Sequence, residues 1–534
     1  MAMLLTLVAV SLSALLMSVG VGQIVATRTT SDRAHALHAA QVGIDVMLGR
    51  IRAANDGAGN GVTASLPASD LTGSMESDGS ERYRVSVIYY AADGSVIDVA
   101  GTDPPAPSEA VLKATGVESS GVDPRPGVAG SRTLQATYRF RTTNENIPGG
   151  MIAVNGSATS PGAFCLAATS RAPAIGSKIT QQLCALGDPY ARRFAYSKEL
   201  TLRLSGSETV TPRGLCLQGA GDPTLVTYAH ALNQQIVLQP CAAVTTPHSK
   251  TLIAQQWSLR SYGTFYGTTD GIKIDNFCLN AKNPGTPASD VVLGDKSPDK
   301  YCENGTYDDR YTLLPEPDVG AGYAGASQNW LGNVGAATAR QLVSVGHEQF
   351  GRCLDIAGAY LPATYQYMIA WPCKQSPDPL QTPWNQMWIL PAVDPTSKTG
   401  TGVIKAYVSD SAKTADYGKY LCLKSYGSTG TDPFVTECPT GTPTPDLLWS
   451  LVADTGTYPS SYVITDNAAT GGIHLCLTPT GPNPAPSELY QATGYAGPPI
   501  SKVVLRTCDG TQWQKWNAPP DLTAPPPITD FVER

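Results

Sequence analysis

The chain has 534 residues, too many for one hydrophobic core and enough for on the order of three or four domains. Charged residues make up only 15%, whereas Gly (52) and Pro (42) are plentiful, a balance that favours short strands and turns over salt-bridged helices. The formal charge of -7 and the lack of any polybasic run argue against a nucleic-acid partner.

No charged side chain occurs from Met1 to Thr27, and the stretch is almost wholly apolar. At about 1.5 Å per helical residue it is long enough for a hydrocarbon core of about 30 Å, so residues 1–27 are expected to form a transmembrane anchor. A cleaved signal peptide would need a basic start and a small-x-small site, for which Gly20-Val21-Gly22 is a weak match. Beyond Arg28, Ala36, Ala40, Ile44, Met47 and Ile51 recur at helical spacing, which predicts a helix with one apolar face ending near Asn55-Asp56-Gly57. Alternation over 83–101, with an Asp93-Gly94 turn, and over 131–140 predicts strands. Residues 28–142 therefore read as a helix plus a small β domain, followed by a linker over 143–162.

The apolar helix followed by AAQVGIDVML at Ala39–Leu48 resembles the N-terminus of type IV pilin-like and PilX-like proteins. That resemblance implies a membrane partner and pilin-like subunits. The chain departs from the pattern in having no basic leader and no Glu five residues into the apolar run. Either the true start lies upstream of Met1, or the helix anchors without polymerising.

From Phe164 onward a unit of Cys-Leu, a strand ending in Cys, and an aromatic residue occurs six times. Its cysteines are Cys165 and Cys184, Cys216 and Cys241, Cys278 and Cys302, Cys353 and Cys373, Cys422 and Cys438, and Cys476 and Cys508. The aromatics are Phe194, Trp257, Tyr311, Trp388, Trp449 and Trp516. This grammar uses all twelve cysteines as six pairs within repeats, and no Cys-x-x-Cys metal or redox spacing appears. Stable disulfides place this part of the chain outside the cytosol. Each unit is too small to bury its own apolar face, so three close into one barrel, stapled by their disulfides. The Pro/Gly/Ala-rich stretch 317–337 divides the six into two sets, 163–316 and 338–518, ahead of a Pro-rich tail at 519–534.

Gln255-Gln256-Trp257, Gln386-Met387-Trp388 and Gln514-Lys515-Trp516 carry a Gln-x-Trp signature, and the pattern resembles the ricin-B-type lectin family. The resemblance implies a mainly β chain with two tandem β-trefoils behind the long N-terminal helix. It also implies a saccharide site made of an Asp after Cys-Leu, an aromatic near the second Cys, and an Asn before Gln-x-Trp. A carboxylate, an amide and a ring suit the hydroxyls and apolar face of a sugar. Only the fourth repeat keeps them together, as Asp355, Trp371, Asn385 and Gln386, although Ile369 replaces a polar position beside the aromatic. The other repeats carry Ala167, Gln218, Asn280, Lys424 or Thr478 where the Asp would be.

No metal, cofactor or catalytic residue is expected. Gly346-His347-Glu348 has no second histidine nearby, and Asp308-Asp309 reads as a solvated loop. Asn155-Gly156-Ser157 and Asn304-Gly305-Thr306 match the glycosylation triplet. Two functions compete. One is a single-pass cell-surface carbohydrate-binding protein, displayed as an adhesin on a pilin-like stalk with its C-terminal domains outside the cell. The other is a structural, pilin-like protein whose trefoils are sugar-silent spacers or protein-docking modules. Convergence of Asp355, Trp371 and Asn385 on one exposed pocket supports the first; burial of Trp371 supports the second.

Overall fold

In the computed structural model the described residues are 2–533 except 55–61, 76–80, 92–94, 102–103, 105–106, 119–122, 129, 141–148, 155–163, 212, 222–228, 243–248, 261–262, 296–301, 303–312, 323–330, 336, 346–350, 358–366, 395, 412–414, 454–460, 469–473, 482–485, 491–499 and 518–527. The Asp93-Gly94 turn, Tyr311, Asp308-Asp309, His347 and both glycosylation triplets lie outside them. The chain separates into two units, one of residues 1–55, 61–140 and 526–534, the other of 56–60 and 141–525.

In the first unit, one helix runs unbroken over Ala2–Ala53. Its expected apolar face is buried: Ala36, Ala40, Ile44, Met47 and Ile51 are all covered, the last four packing with Val85, Leu112, Ala114 and Leu134 of a sheet. The sheet orders its strands as Leu71–Ser74, Glu81–Tyr90, Glu109–Glu118, Arg132–Arg139 and Ile528–Glu533. Helix and sheet approach closely at Gly116, where a Cβ would lie 2.0 Å from the Ala36 carbonyl oxygen. Only a residue without a side chain fits there.

Among the described residues no helix is long and apolar enough to cross a membrane. The expected anchor over 1–27 is thereby corrected, and with it the membrane and pilin-like subunits as partners and the single-pass, cell-surface placement. In the described part of that stretch Ser11, Ser13, Gly22, Gln23 and Thr27 dilute the apolar residues, and charge begins at Arg28. The apolarity farther along, from Ala36 to Ile51, is spent covering the sheet.

The second unit holds two trefoil-like barrels. Twelve strands between Gly150 and Pro315 form the first. Its first strand, Gly150–Val154, pairs with both Arg193–Tyr196 and the last strand, Leu313–Pro315, drawing the ends of the barrel together. Three hairpins cap it, with turns between Phe164–Ala167 and Thr180–Leu183, between Leu215–Gly219 and Ile236–Pro240, and between Ile274–Ala281 and Val291–Asp295. Single bridges join the hairpins in a triangle: Lys178 to Val237, Gln235 to Val292, and Thr180 to Asp290. That closed triangle is the pseudo-threefold arrangement that three repeats require.

The second barrel repeats the plan. Val343–Ser344 at its start pairs with Lys515–Asn517 at its end. Its three cap hairpins touch through Met368 paired with Val503, the Met368 amide donating to the Pro433 carbonyl (3.1 Å), and the Leu505 amide donating to the Thr431 carbonyl (3.0 Å). Phe194 and Trp257 fill the first core; Trp388, Trp449 and Trp516 fill the second, all fully buried. All twelve cysteines are bonded, as 165–184, 216–241, 278–302, 353–373, 422–438 and 476–508.

Candidate functional site

The repeat signature has a local physical cause. In four repeats the indole N–H of the tryptophan donates to the carbonyl of the leucine after the first Cys: Trp257 to Leu217 (3.0 Å), and Trp388 to Leu354, Trp449 to Leu423 and Trp516 to Leu477 (each 2.9 Å). The glutamine two residues ahead clamps the second Cys from both sides. The Gln386 amide donates to Pro372 O (3.1 Å), and its oxygen accepts from the Lys374 amide (2.8 Å). Gln255 does the same with Pro240 and Ala242, and Gln514 with Thr507 and Asp509. Backbone groups beside the disulfide, most deeply buried around Gln386, are thus satisfied by one side chain. Gln386 therefore serves the architecture, whatever else it touches.

In the fourth repeat, Arg352–Ile356 pairs with Met368–Pro372, placing Cys353 opposite Trp371 and Asp355 opposite Ile369. Alternation sends Leu354, Ile356, Met368 and Ala370 into the barrel core and Asp355, Ile369 and Trp371 to the other face. There Asp355 meets Asn385: the Asn385 amide donates to Asp355 Oδ1 at 2.7 Å. Asp355 Oδ2 accepts from Lys374 Nζ (2.7 Å) and Gln386 Nε2 (2.8 Å), and the ammonium also donates to Asn385 Oδ1 (3.1 Å). Three of the roughly four acceptor positions of the carboxylate are occupied within the chain. Asp355, Lys374 and Asn385 are 2%, 3% and 3% exposed. Burial pushes the Asp355 carboxyl above the usual carboxylate range, with the Lys374 charge and three hydrogen bonds opposing it.

Trp371 does not present an open ring. It is 4% exposed and packs with Ile369, Ala357 and Ile500. Tyr490 stands edge-on to it, with ring centroids 6.1 Å apart at 89°. Ile500 and Tyr490 belong to the sixth repeat, whose disulfide spans the longest loop of the six, 32 residues. Part of that long insertion pairs as Leu489–Tyr490 with Ile500–Ser501 and lies over the aromatic of the fourth repeat. The structure thus joins Asp355, Asn385 and Gln386 and leaves Trp371 covered beside them.

Lys374 is the member that sequence reasoning missed. The signal was its position directly after Cys373, where the corresponding clamp residues are the neutral Ala242 and the acidic Asp509. Three of the remaining repeats use their variant residues locally. Gln218 accepts from Gln255 (3.0 Å), Lys424 pairs with Asp446 (3.1 Å), and the Thr478 hydroxyl turns back to the Cys476 carbonyl (2.9 Å).

No family profile and no curated protein matches the chain. Among solved structures it is similar to an agglutinin from Abrus precatorius, with 14% identity over 70% of this chain and 96% of that one and a TM-score of 0.21. It is also similar to the mdaA-1 domain (16% identity, 33% of this chain and 96% of that one, TM-score 0.23). A third is the C-terminal half of an earthworm R-type lectin in complex with GalNAc (15% identity, 32% of this chain and 100% of that one, TM-score 0.20). Likeness this slight assigns no activity to the chain.

Proposed function

We propose that the tandem trefoils are a non-catalytic, disulfide-stapled scaffold, a spacer or protein-docking body, whose fourth-repeat face is sugar-silent in the folded chain. One observation carries this reading: Trp371 lies buried beneath Tyr490 and Ile500 of the sixth repeat. Stacking on a sugar needs an open ring face, and this one is spent on packing. The neighbouring carboxylate is also engaged by three internal donors. The test is a glycan array probed with the full, oxidised chain beside its Asp355→Ala variant. The scaffold reading expects no saccharide-dependent signal from either. Binding by the parent chain that disappears with Asp355→Ala would overturn it.

A second reading, saccharide recognition, is favoured by one feature. A buried ion pair costs several kcal/mol per ion in desolvation, about as much as it returns. The second repeat holds the equivalent glutamine with the neutral Gln218 instead. Buried charge is not needed to build the clamp, so its presence in the fourth repeat is consistent with recognition of hydroxyl groups. On this reading Tyr490 and Ile500 have to move off Trp371 before a ligand can enter.

A further inference from the structure

The loop that carries Lys374 is gripped from outside its own barrel. The Gln375 amide donates to the Leu259 carbonyl at 2.7 Å, and the Ser258 hydroxyl donates to the Gln375 carbonyl at 2.5 Å. Both partners belong to the short strand Ser258–Leu259 of the first barrel. Six residues on, the Arg260 guanidinium donates to the Gln381 carbonyl at 2.8 Å. These contacts bracket the loop that leads from Cys373 to Asn385. Within the second barrel, the Gln341 amide meets the Lys374 carbonyl and Gln386 Oε1, each at 2.8 Å.

We propose that Ser258, Leu259 and Arg260 are positioning residues for the buried charged cluster of the other barrel. The first trefoil fixes the backbone at Gln375, and that fixed backbone aims the preceding Lys374 at Asp355. The interface is then a control point: loosening it frees the one residue whose charge balances Asp355. Leu259 acts through its carbonyl, which no side-chain replacement removes, so Ser258 and Arg260 are the positions to change. Gly322 closes the other side of the loop, where a Cβ would sit 3.2 Å from Gln375 Cγ and 2.8 Å from Tyr196 Cε1. The inference concerns the cluster described above and holds whether or not that face binds a saccharide.

The experiment compares the full, oxidised chain with Ser258→Ala/Arg260→Ala by amide hydrogen exchange and by amine labelling read at single lysines. In the parent chain the Gln375 amide is protected and Lys374 unlabelled. In the double variant Gln375 exchange should accelerate about tenfold, the factor that loss of one or two hydrogen bonds produces, and Lys374 should become labelled. Amides of Leu423 and Leu477, in the fifth and sixth repeats of the same barrel, should keep their rates. Unchanged protection at Gln375, or faster exchange there with Lys374 still unlabelled, would overturn the inference. So would equal acceleration throughout the second barrel, which reports general loosening. If the double variant does not fold, Arg260→Ala alone is read by the same criteria. A glycan array on the same samples is scored separately, so the scaffold reading and this inference stand or fall independently.

Discussion

Lys374 and Asp355, both buried, meet at 2.7 Å in the only repeat where a carboxylate follows the Cys-Leu pair. Removing one member leaves the other charge without its partner in a site that excludes water. Lys374→Met is therefore expected to destabilise the second barrel by about 3–5 kcal/mol. Lys374→Met/Asp355→Leu should recover most of that loss. Denaturant unfolding of all four members of the cycle, followed by tryptophan fluorescence, measures the coupling. A double variant no more stable than Lys374→Met would contradict this account.

The glutamine clamp makes a separate prediction. Gln514→Leu removes the donor to Thr507 O and the acceptor for the Asp509 amide. Two part-buried backbone groups then lose their partner, at about 0.5–1.5 kcal/mol each. The loss should exceed that of an ordinary exposed substitution in the same barrel, such as Thr401→Ala, in urea melts at matched concentration.

Gly116 predicts the behaviour of the first unit. A methyl group there meets the Ala36 carbonyl at 2.0 Å and the Ala40 nitrogen at 2.6 Å, both backbone atoms that cannot swing aside. Gly116→Ala should cost about 1–3 kcal/mol through overpacking and push the helix off the sheet. Faster exchange of the strand amides around Gly116, with the two barrels unaffected, is the expected signature.

On the same helix, His35 Nδ1 lies 2.5 Å from the buried Glu81 carboxylate, with His38 Nδ1 at 3.8 Å from its other oxygen. The Glu81 hydrogen bond, helped by the charge of Glu118, raises the His35 pKa above the usual histidine value. A raised folded value means stabilisation that is complete below the unfolded pKa of about 6.5 and is lost as pH climbs through the folded one. The first unit should therefore melt at a higher temperature below the usual histidine pKa of about 6.5 than well above it. His35→Gln should shrink the difference. A pH dependence unchanged by that substitution would assign the effect to other groups.

Much of this was legible before any coordinates. The spacing of Ala36, Ala40, Ile44, Met47 and Ile51 gave the buried helix face because the 3.6-residue period is set by backbone geometry alone. The Cys-Leu…Cys…aromatic order is legible for a related reason, since the indole of Trp388 and its counterparts bonds the carbonyl of the leucine after the first Cys whatever the loop length between them. The meeting of Asp355 and Asn385 is implied by the resemblance to ricin-B-type repeats rather than by the spacing itself. What stayed hidden was non-local. Nothing near Trp371 in the chain announces that Ile500 and Tyr490 cover it, and nothing near Cys373 announces that Ser258 holds the loop. The expected anchor fails for a different reason: an uncharged stretch is not for that alone apolar enough to cross lipid, and serine, threonine, glycine and glutamine recur within this one.

Every disulfide closes inside one repeat, and none ties one repeat to another. Under a pulling force, tension would cross each sulfur bridge and bypass the loop behind it. The loop between Cys476 and Cys508, a sequence separation of 32 and about 110 Å when drawn out, would stay slack however far the barrel opened. Oxidation therefore leaves the seams between repeats free to part while capping how far the chain can lengthen afterwards. Reduction would release that stored length, and the body would become far more extensible without any change in its sequence.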